Sequence, residues 1–314
     1  MSWNPEFLRR GKMVLVESDK LMTSGAIFLL GGIMEVRHPV RSALYIPASK
    51  VRALEKAACL ATDAIIFDLE DAVAPDEKVA ARVALEGFLR NTDYRPRLRL
   101  VRTNGLETDW GRADVATFAH HAGVDGLLVP KVNSPADLSA VAQIAPDKPL
   151  WAMMETPAGV LNAAGIAGFA GLRGMVMGTN DLAKDLGARF CADRAPLVTA
   201  LGLCLLAARA HGRLILDGVY NAFRDMAGLE AECVQGRNLG FDGKTLIHPD
   251  QLAVANRIFA PSDTELDLAR RQIAAFAAAR QGVAVVDGKI VENLHIVAAR
   301  ELIAKARAIA AMQE

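Results

Sequence analysis

The sequence predicts a (β/α)8 barrel with a C-terminal helical extension, and three observations predict it. From Arg41 onward, short apolar runs alternate with longer amphipathic stretches, the pattern of repeated strand–helix units building a parallel sheet. The alternation occurs eight times within about 220 residues, which suits a closed barrel better than an open doubly wound sheet. Six of the apolar runs end directly against polar or charged residues, as expected where the loops after the strands gather round one mouth.

Taken in order, strands are expected at 43–46 (ALYI), 64–68 (AIIFD), 98–101 (LRLV), 126–129 (GLLV), 150–154 (LWAMM), 175–177 (MVM), 214–216 (LIL) and 243–247 (GKTLI). Each is short and apolar, as a strand covered on both faces should be. The longer stretches at 51–60, 77–89, 112–121, 135–143, 158–167, 195–210, 226–238 and 250–259 read as the helices between and after them. Residues 1–38 do not continue this pattern and are expected to form an arm outside the fold, leaving 39–261 for the barrel. The remainder, 262–314, reads as a helix, a short strand at 283–286, a turn at Asp287-Gly288 and a helix from about Leu294, a C-terminal extension beyond the eightfold count.

Composition removes several function classes. A length of 314 residues allows two domains or one large one, and a hydrophobic content of 52% supplies a sizeable core. With 36 Lys+Arg against 36 Asp+Glu there is no basic surplus for a phosphate backbone, so no nucleic-acid partner is expected. Cys59, Cys191, Cys204 and Cys233 lack CxxC spacing, so neither a zinc site nor a disulfide framework is expected, and a cytoplasmic location fits best. The longest apolar run near the start, 25–34, falls well short of the roughly 20 residues that cross a bilayer. Glu17, Asp19 and Lys20 interrupt any path from a basic to an apolar segment, which weakens a signal-peptide reading. There is no GxSxG elbow, and no glycine-rich phosphate cradle lies in a strand-to-helix context. A nucleotide would then be held by scattered basic residues, with Arg41, Lys50 and Lys131 as candidates and solvated surface charge as their plainer role.

The chemistry-bearing residues sit after the strands. Glu155 and Asp181 end consecutive strands, so their carboxylates can converge on the rim; with water and substrate oxygens they would suit Mg²⁺, whereas the plain alternative is that each caps the helix that follows. Asp68, Glu70 and Asp71 crowd three acids at another strand end and call for a cation nearby. Arg102, one strand on, is placed either to pair with them or to clamp a substrate carboxylate bidentately. His120 and His121 lie at a helix end, and His248 follows the eighth strand.

The segments RSALYIPASK, IIFDLEDAVAPDEK, VRTNG, LLVPKV, METPAGVLNA, GTNDLA, LDGVY and GFDGKTLIHPDQ, in this order from Arg41 to about Arg307, resemble the citrate lyase β-subunit-like branch of the HpcH/HpaI aldolase superfamily. The resemblance implies a (β/α)8 barrel whose C-terminal extension reaches a neighbouring subunit, and assembly as a homotrimer or hexamer. It implies Mg²⁺, or Mn²⁺ in its place, held by Glu155 and Asp181. Arg102 would hold the carboxylate or carbonyl end of the substrate, with Glu70 and Asp71 near the metal's waters. Arg41, Lys50, Lys131, Thr156, Pro157 and Asp217 are the expected contacts for substrate and coenzyme A. The implied substrates are short dicarboxylyl-CoA thioesters such as (3S)-malyl-CoA, either hydrolysed to malate and CoA or cleaved to glyoxylate and acetyl-CoA. Citramalyl-CoA cleavage, action on a carrier-bound thioester and a CoA-independent aldolase are the alternatives. One departure stands out: Glu292 occupies a position in the C-terminal extension where the lyases carry Asp as acid/base. A longer side chain moves the carboxylate by about a bond length, and about 1 Å of misplacement can cost about 100-fold in rate.

Overall fold

The computed structural model describes residues 26–29, 32–35, 38–279 and 282–312. Residues 1–38 and 39–314 form separate compact units. In the first, strands β1 (Ala26–Leu29) and β2 (Gly32–Glu35) pair antiparallel, with Leu29 opposite Gly32. Apart from His38, the rest of the arm expected at 1–38 lies outside the described residues.

In the second unit eight parallel strands close into a barrel: β3 (Ser42–Pro47), β4 (Ala64–Asp68), β5 (Leu98–Arg102), β6 (Gly126–Val129), β7 (Leu150–Met154), β8 (Leu172–Met177), β9 (Leu214–Asp217) and β10 (Gly243–Leu246), with β10 returning to β3. Helices α1 (Val51–Ala57), α2 (Lys78–Asn91), α3 (Gly111–Phe118), α4 (Pro135–Ile144), α5 (Pro157–Leu161), α6 (Ala163–Ala167), α7 (Thr179–Leu186), α8 (Ala195–Ala210), α9 (Met226–Leu239) and α10 (Leu252–Phe259) complete the strand–helix units. The expected helix at 158–167 is two short helices meeting at Asn162, and α7 is an additional helix between β8 and α8.

Two apolar layers hold the barrel. Successive strand residues face opposite sides, so Ile65, Phe67, Val101, Met154 and Met175 join the layer beneath the helices. Ile66, Leu100, Leu128, Trp151, Met153 and Val176 fill the barrel interior. A bidentate Arg–Asp pair braces each of three places at the strands' N-terminal end: Arg41 with Asp63, Arg99 with Asp125, and Arg209 with Asp242.

The extension comprises α11 (Asp263–Ala278), the antiparallel pair β11 (Ala284–Val286) and β12 (Lys289–Val291), and α12 (Asn293–Ala311). The second strand of that pair was not expected, because KIV is too short to carry a period. Lys305, late in α12, feels the charges of Asp242, Arg41 and Asp63, so this part of the extension lies under the strands' N-terminal end.

Inside the barrel, Gly174 leaves room for the six-membered ring of Trp151, and a Cβ there would collide with it. Gly174→Ala is therefore expected to lower Tm by roughly 2–10 °C through overpacking. Adding Trp151→Phe should recover part of the loss. An unchanged melting curve for the single variant would show that the indole is not wedged.

Candidate active site

The strand alternation that fills the interior also builds the site. On β4 the inward series runs Ala64, Ile66, Asp68; on β5 it runs Leu100, Arg102; and beyond β7 it runs Trp151, Met153, Glu155. The last inward position of three strands is thus charged, and all three side chains are buried, with Asp68 1% exposed, Arg102 7% and Glu155 2%. They line a cavity of about 360 Å³ with Tyr45, Asp71, Met153, Thr179, Asn180 and Asp181.

Strand register sets Asp68 beside Arg102. Arg102 Nε donates to Asp68 Oδ1 at 2.8 Å and Nη2 to Oδ2 at 2.6 Å, a bidentate pair. Nη1 lies 2.8 Å from Glu70 Oε2 and 3.3 Å from Asp71 Oδ2. The Tyr45 ring sits 5.0 Å from the guanidinium carbon, and burial pushes the tyrosine hydroxyl's pKa above its ordinary value. Of the two roles open to Arg102, pairing with the neighbouring acids is the one this structure shows: Asp68 takes the fork, and Nη1 is shared by Glu70 and Asp71. Asp68 also accepts from the amides of Glu70 (2.9 Å) and Ala72 (3.1 Å), folding the acidic loop over itself. From α2, buried Lys78 ties that loop down through the carbonyls of Leu69 (3.0 Å) and Glu70 (2.8 Å) and through Asn104 Oδ1 (2.7 Å).

Lys131 joins the remaining acids. Its amide donates to Glu155 Oε1 at 2.7 Å, while Nζ lies 2.7 Å from Asp181 Oδ2 and 3.2 Å from Glu70 Oε1. Burial pushes the Glu155 carboxyl up to about 7; Glu70 adds to the rise, and the Lys131 amide and charge oppose it. Glu70 is likewise raised, by burial above all, with Arg102 opposing. For Lys131, burial works against the charge, but the hydrogen bond to Asp181 and the field of Glu70 hold the ammonium above the ordinary lysine range.

Neither carboxylate is a helix cap. Thr156 is the N-cap of α5, its Oγ1 accepting from Gly159 N at 3.0 Å, and Asp181 lies within the first turn of α7, where the helix dipole favours negative charge. Gly178 is required between them, because a Cβ there would strike Glu155 Cβ. Among the described residues no three acidic, imidazole or thiol groups converge on one point. A metal here would therefore have Glu155 and Asp181 as protein ligands and take oxygens of water or ligand for the rest. That donor set suits Mg²⁺, and the ammonium drawn onto Asp181 shows that the acids attract a cation.

The other expected contacts divide. Lys50, the exposed N-cap residue of α1, and Thr156 and Pro157, at the start of α5, lie on the mouth side. Arg41 does not: it precedes β3 at the opposite end and is locked to Asp63 by two side-chain hydrogen bonds of 2.8 Å. Asp217 is also corrected, because β9 alternates Leu214 and Leu216 inward, turning Asp217 outward under the helices. There it is fully buried, held by Arg194 Nη1 at 2.7 and 2.8 Å, and 3.4 Å from buried Lys244 Nζ. Glu292 stands at the N-cap of α12, its amide donating to His295 Nδ1 at 3.0 Å, and among the described residues no hydrogen bond joins it to the mouth of its own barrel. His248 is the N-cap of a short turn and stacks on Phe223 at 4.7 Å.

Sequence reasoning did not single out Tyr45 or the Asn180–Asn221 pair (2.7 and 3.2 Å) that joins the start of α7 to the loop after β9. Counting inward positions along each strand would have excluded Asp217.

The chain matches the HpcH/HpaI aldolase/citrate lyase family model over residues 41–249. It is 65% identical over 279 residues to a (3S)-malyl-CoA thioesterase of Cereibacter sphaeroides, covering 88% of this chain and 98% of that protein. An L-malyl-CoA/beta-methylmalyl-CoA lyase from the same organism is 32% identical over 306 residues, covering 87% of this chain and 96% of that protein. Among solved structures, CitE from Mycobacterium tuberculosis in complex with magnesium, acetoacetate and coenzyme A superposes with a TM-score of 0.75 at 32% identity, covering 86% of this chain and 98% of that one. A barrel with a charged mouth, matched along its length by these proteins, places the chain in the HpcH/HpaI aldolase/citrate lyase family.

Proposed function

We propose that this chain is a Mg²⁺-dependent enzyme that hydrolyses a short 3-hydroxydicarboxylyl-CoA thioester such as (3S)-malyl-CoA to malate and CoA. The observation that carries the reading is the meeting of Glu155 and Asp181 at Lys131 beside the buried Arg102–Asp68 pair. Identity of 65% to a (3S)-malyl-CoA thioesterase against 32% to a lyase favours hydrolysis over carbon–carbon cleavage.

Glu155 and Asp181 would hold the divalent cation, which when bound supplies Lewis-acid polarisation of a substrate oxygen. Arg102, whose Nη1 is shared with Glu70 and Asp71 beside the cavity, would supply positive charge toward the oxyanion of an attacked thioester. Glu70, whose carboxyl is raised by burial, is the base on the chain's own barrel: its carboxylate takes a proton from water as the oxygen attacks the carbonyl carbon. The carbon–sulfur bond then breaks, and the CoA sulfur leaves with its electron pair and is protonated. Lys50, Thr156 and Pro157 flank the mouth where the rest of the thioester would lie.

The same reading includes residues 39–261 as the catalytic barrel, 262–314 as an extension that packs on a neighbouring copy in a homotrimer or hexamer, and 1–38 as an arm outside the fold. Glu292 would then act from the partner subunit, a reading supported by the end of α12 lying under its own barrel, away from the mouth. A cytoplasmic location fits the four free cysteines.

Incubation of the purified protein with Mg²⁺ and (3S)-malyl-CoA, read by mass spectrometry, should give malate and CoA, with turnover lost in Glu155→Ala and Asp181→Ala. Glyoxylate and acetyl-CoA would replace the hydrolase reading with a lyase, and no turnover of malyl-, citramalyl- or β-methylmalyl-CoA would remove the CoA-ester reading. Arg102→Lys, which cannot keep the two-pronged hold on Asp68, should lower kcat/KM by about 100-fold or more. Asp68→Asn, which leaves the guanidinium but loosens its aim, should fall less. Equal losses in both variants would mean that the pair acts only as structural support.

A further inference from the structure

We propose that Lys131 competes with the divalent cation for the carboxylates of the mouth, and so sets the metal affinity of the site. The inference deepens the metal reading above and rests on it. Lys131 touches three acids at once: its amide holds Glu155 Oε1 at 2.7 Å, and its ammonium lies 2.7 Å from Asp181 Oδ2 and 3.2 Å from Glu70 Oε1. No other lysine or arginine is ion-paired to Asp181 among the described residues, whereas Arg102 also serves Glu70.

The backbone supports this placement at a cost. Lys131 has φ of 48°, in the left-handed region that a residue with a Cβ enters rarely and with strain. The turn sends the amide of Lys131 to Glu155 and its side chain back across the mouth to Asp181 and Glu70. A relaxed turn would lose this double reach. The strained residue is therefore a positioning group for the metal-binding acids as well as a charge among them.

Competition follows from distance. Mg²⁺ binds oxygen at about 2.1 Å, so a cation shared by Glu155 and Asp181 draws on the carboxylate that the ammonium already contacts. Two cations on one carboxylate repel strongly at such separations. The divalent ion wins only by its greater charge, and the ammonium must yield Asp181 in doing so. A monovalent ion has no such advantage, which makes the same lysine a filter for divalent charge.

The test is isothermal titration of Mg²⁺ into the full-length protein, without substrate. Removing the charge with Lys131→Met or, independently, Lys131→Gln should tighten Kd by about tenfold or more, because repulsion is removed while the Glu155-binding amide remains. Lys131→Arg, which keeps the charge, should stay within about threefold of the parent. Unchanged or weakened Mg²⁺ binding in a folded Met or Gln variant, judged by circular dichroism, would overturn the competition. Failure of the parent protein itself to bind Mg²⁺ would instead overturn the underlying metal reading, so the two failures are distinguishable.

Discussion

The buried pair between Arg102 and Asp68 is the interaction on which the mouth of the barrel depends. Both are nearly inaccessible, at 7% and 1% exposed, so each charge has lost most of its water and is sustained by the other. Removing one partner of such a pair costs about 3–5 kcal/mol because the survivor is left buried and uncompensated. The pair does more than persist. Asp68 uses its remaining acceptor capacity on the amides of Glu70 and Ala72, so the side chain that fixes the arginine also fixes the loop carrying Glu70. Lys78 from α2 and Asn104 from the loop after β5 secure the same loop. The position of Glu70 is thus set from two directions before any ligand arrives.

Charge balance explains the behaviour of the remaining acids. Asp68, Glu70, Asp71, Glu155 and Asp181 crowd the mouth, while among the described residues Arg102 and Lys131 are the cations ion-paired with these acids. Burial with too little positive charge raises the carboxyls of Glu70 and Glu155, the latter to about 7. Such a site favours added positive charge, which is the electrostatic condition for a divalent cation. The strands' opposite end uses the same residue types differently: Arg41 grips Asp63, Arg99 grips Asp125 and Arg209 grips Asp242, so each of these acids has an arginine fork of its own. Arginine and aspartate stabilise both ends, and the excess of acids is what makes one of them chemical.

The barrel was legible because its pattern is redundant: eight apolar runs, each followed by an amphipathic stretch, leave few alternatives. Glu155, Asp181, Arg102 and Glu70 were legible as residues that follow strands. What failed was the step from loop position to side-chain direction. Asp217 follows an apolar run as Asp68 does, but the alternation of β9 turns it toward Arg194 and Lys244 beneath the helices. Arg41 precedes its strand, so it belongs to the other end whatever its charge suggests. Local pattern also could not show that α5 and α6 are separate, since residues 158–167, rich in alanine and aliphatic side chains, read as one helix until the chain turns at Asn162.

Lys131 marks the limit of such reading most clearly. A lysine after a strand looks like solvated charge or a contact for an anionic ligand, and nothing local shows that its backbone turns left-handed. That conformation accompanies contacts with acids on three other segments: Glu70 after β4, Glu155 after β7 and Asp181 in α7. No one of them is within twenty residues of Lys131 along the chain. Tertiary electrostatics overrides local preference where several like charges meet in a poorly hydrated space, because the energy of leaving them uncompensated exceeds the cost of one strained residue. The same reasoning ties the strain to the chemistry. A turn that must hold Glu155 by its amide and Asp181 by its side chain is informative only about a site that needs both carboxylates kept close and neither satisfied for good.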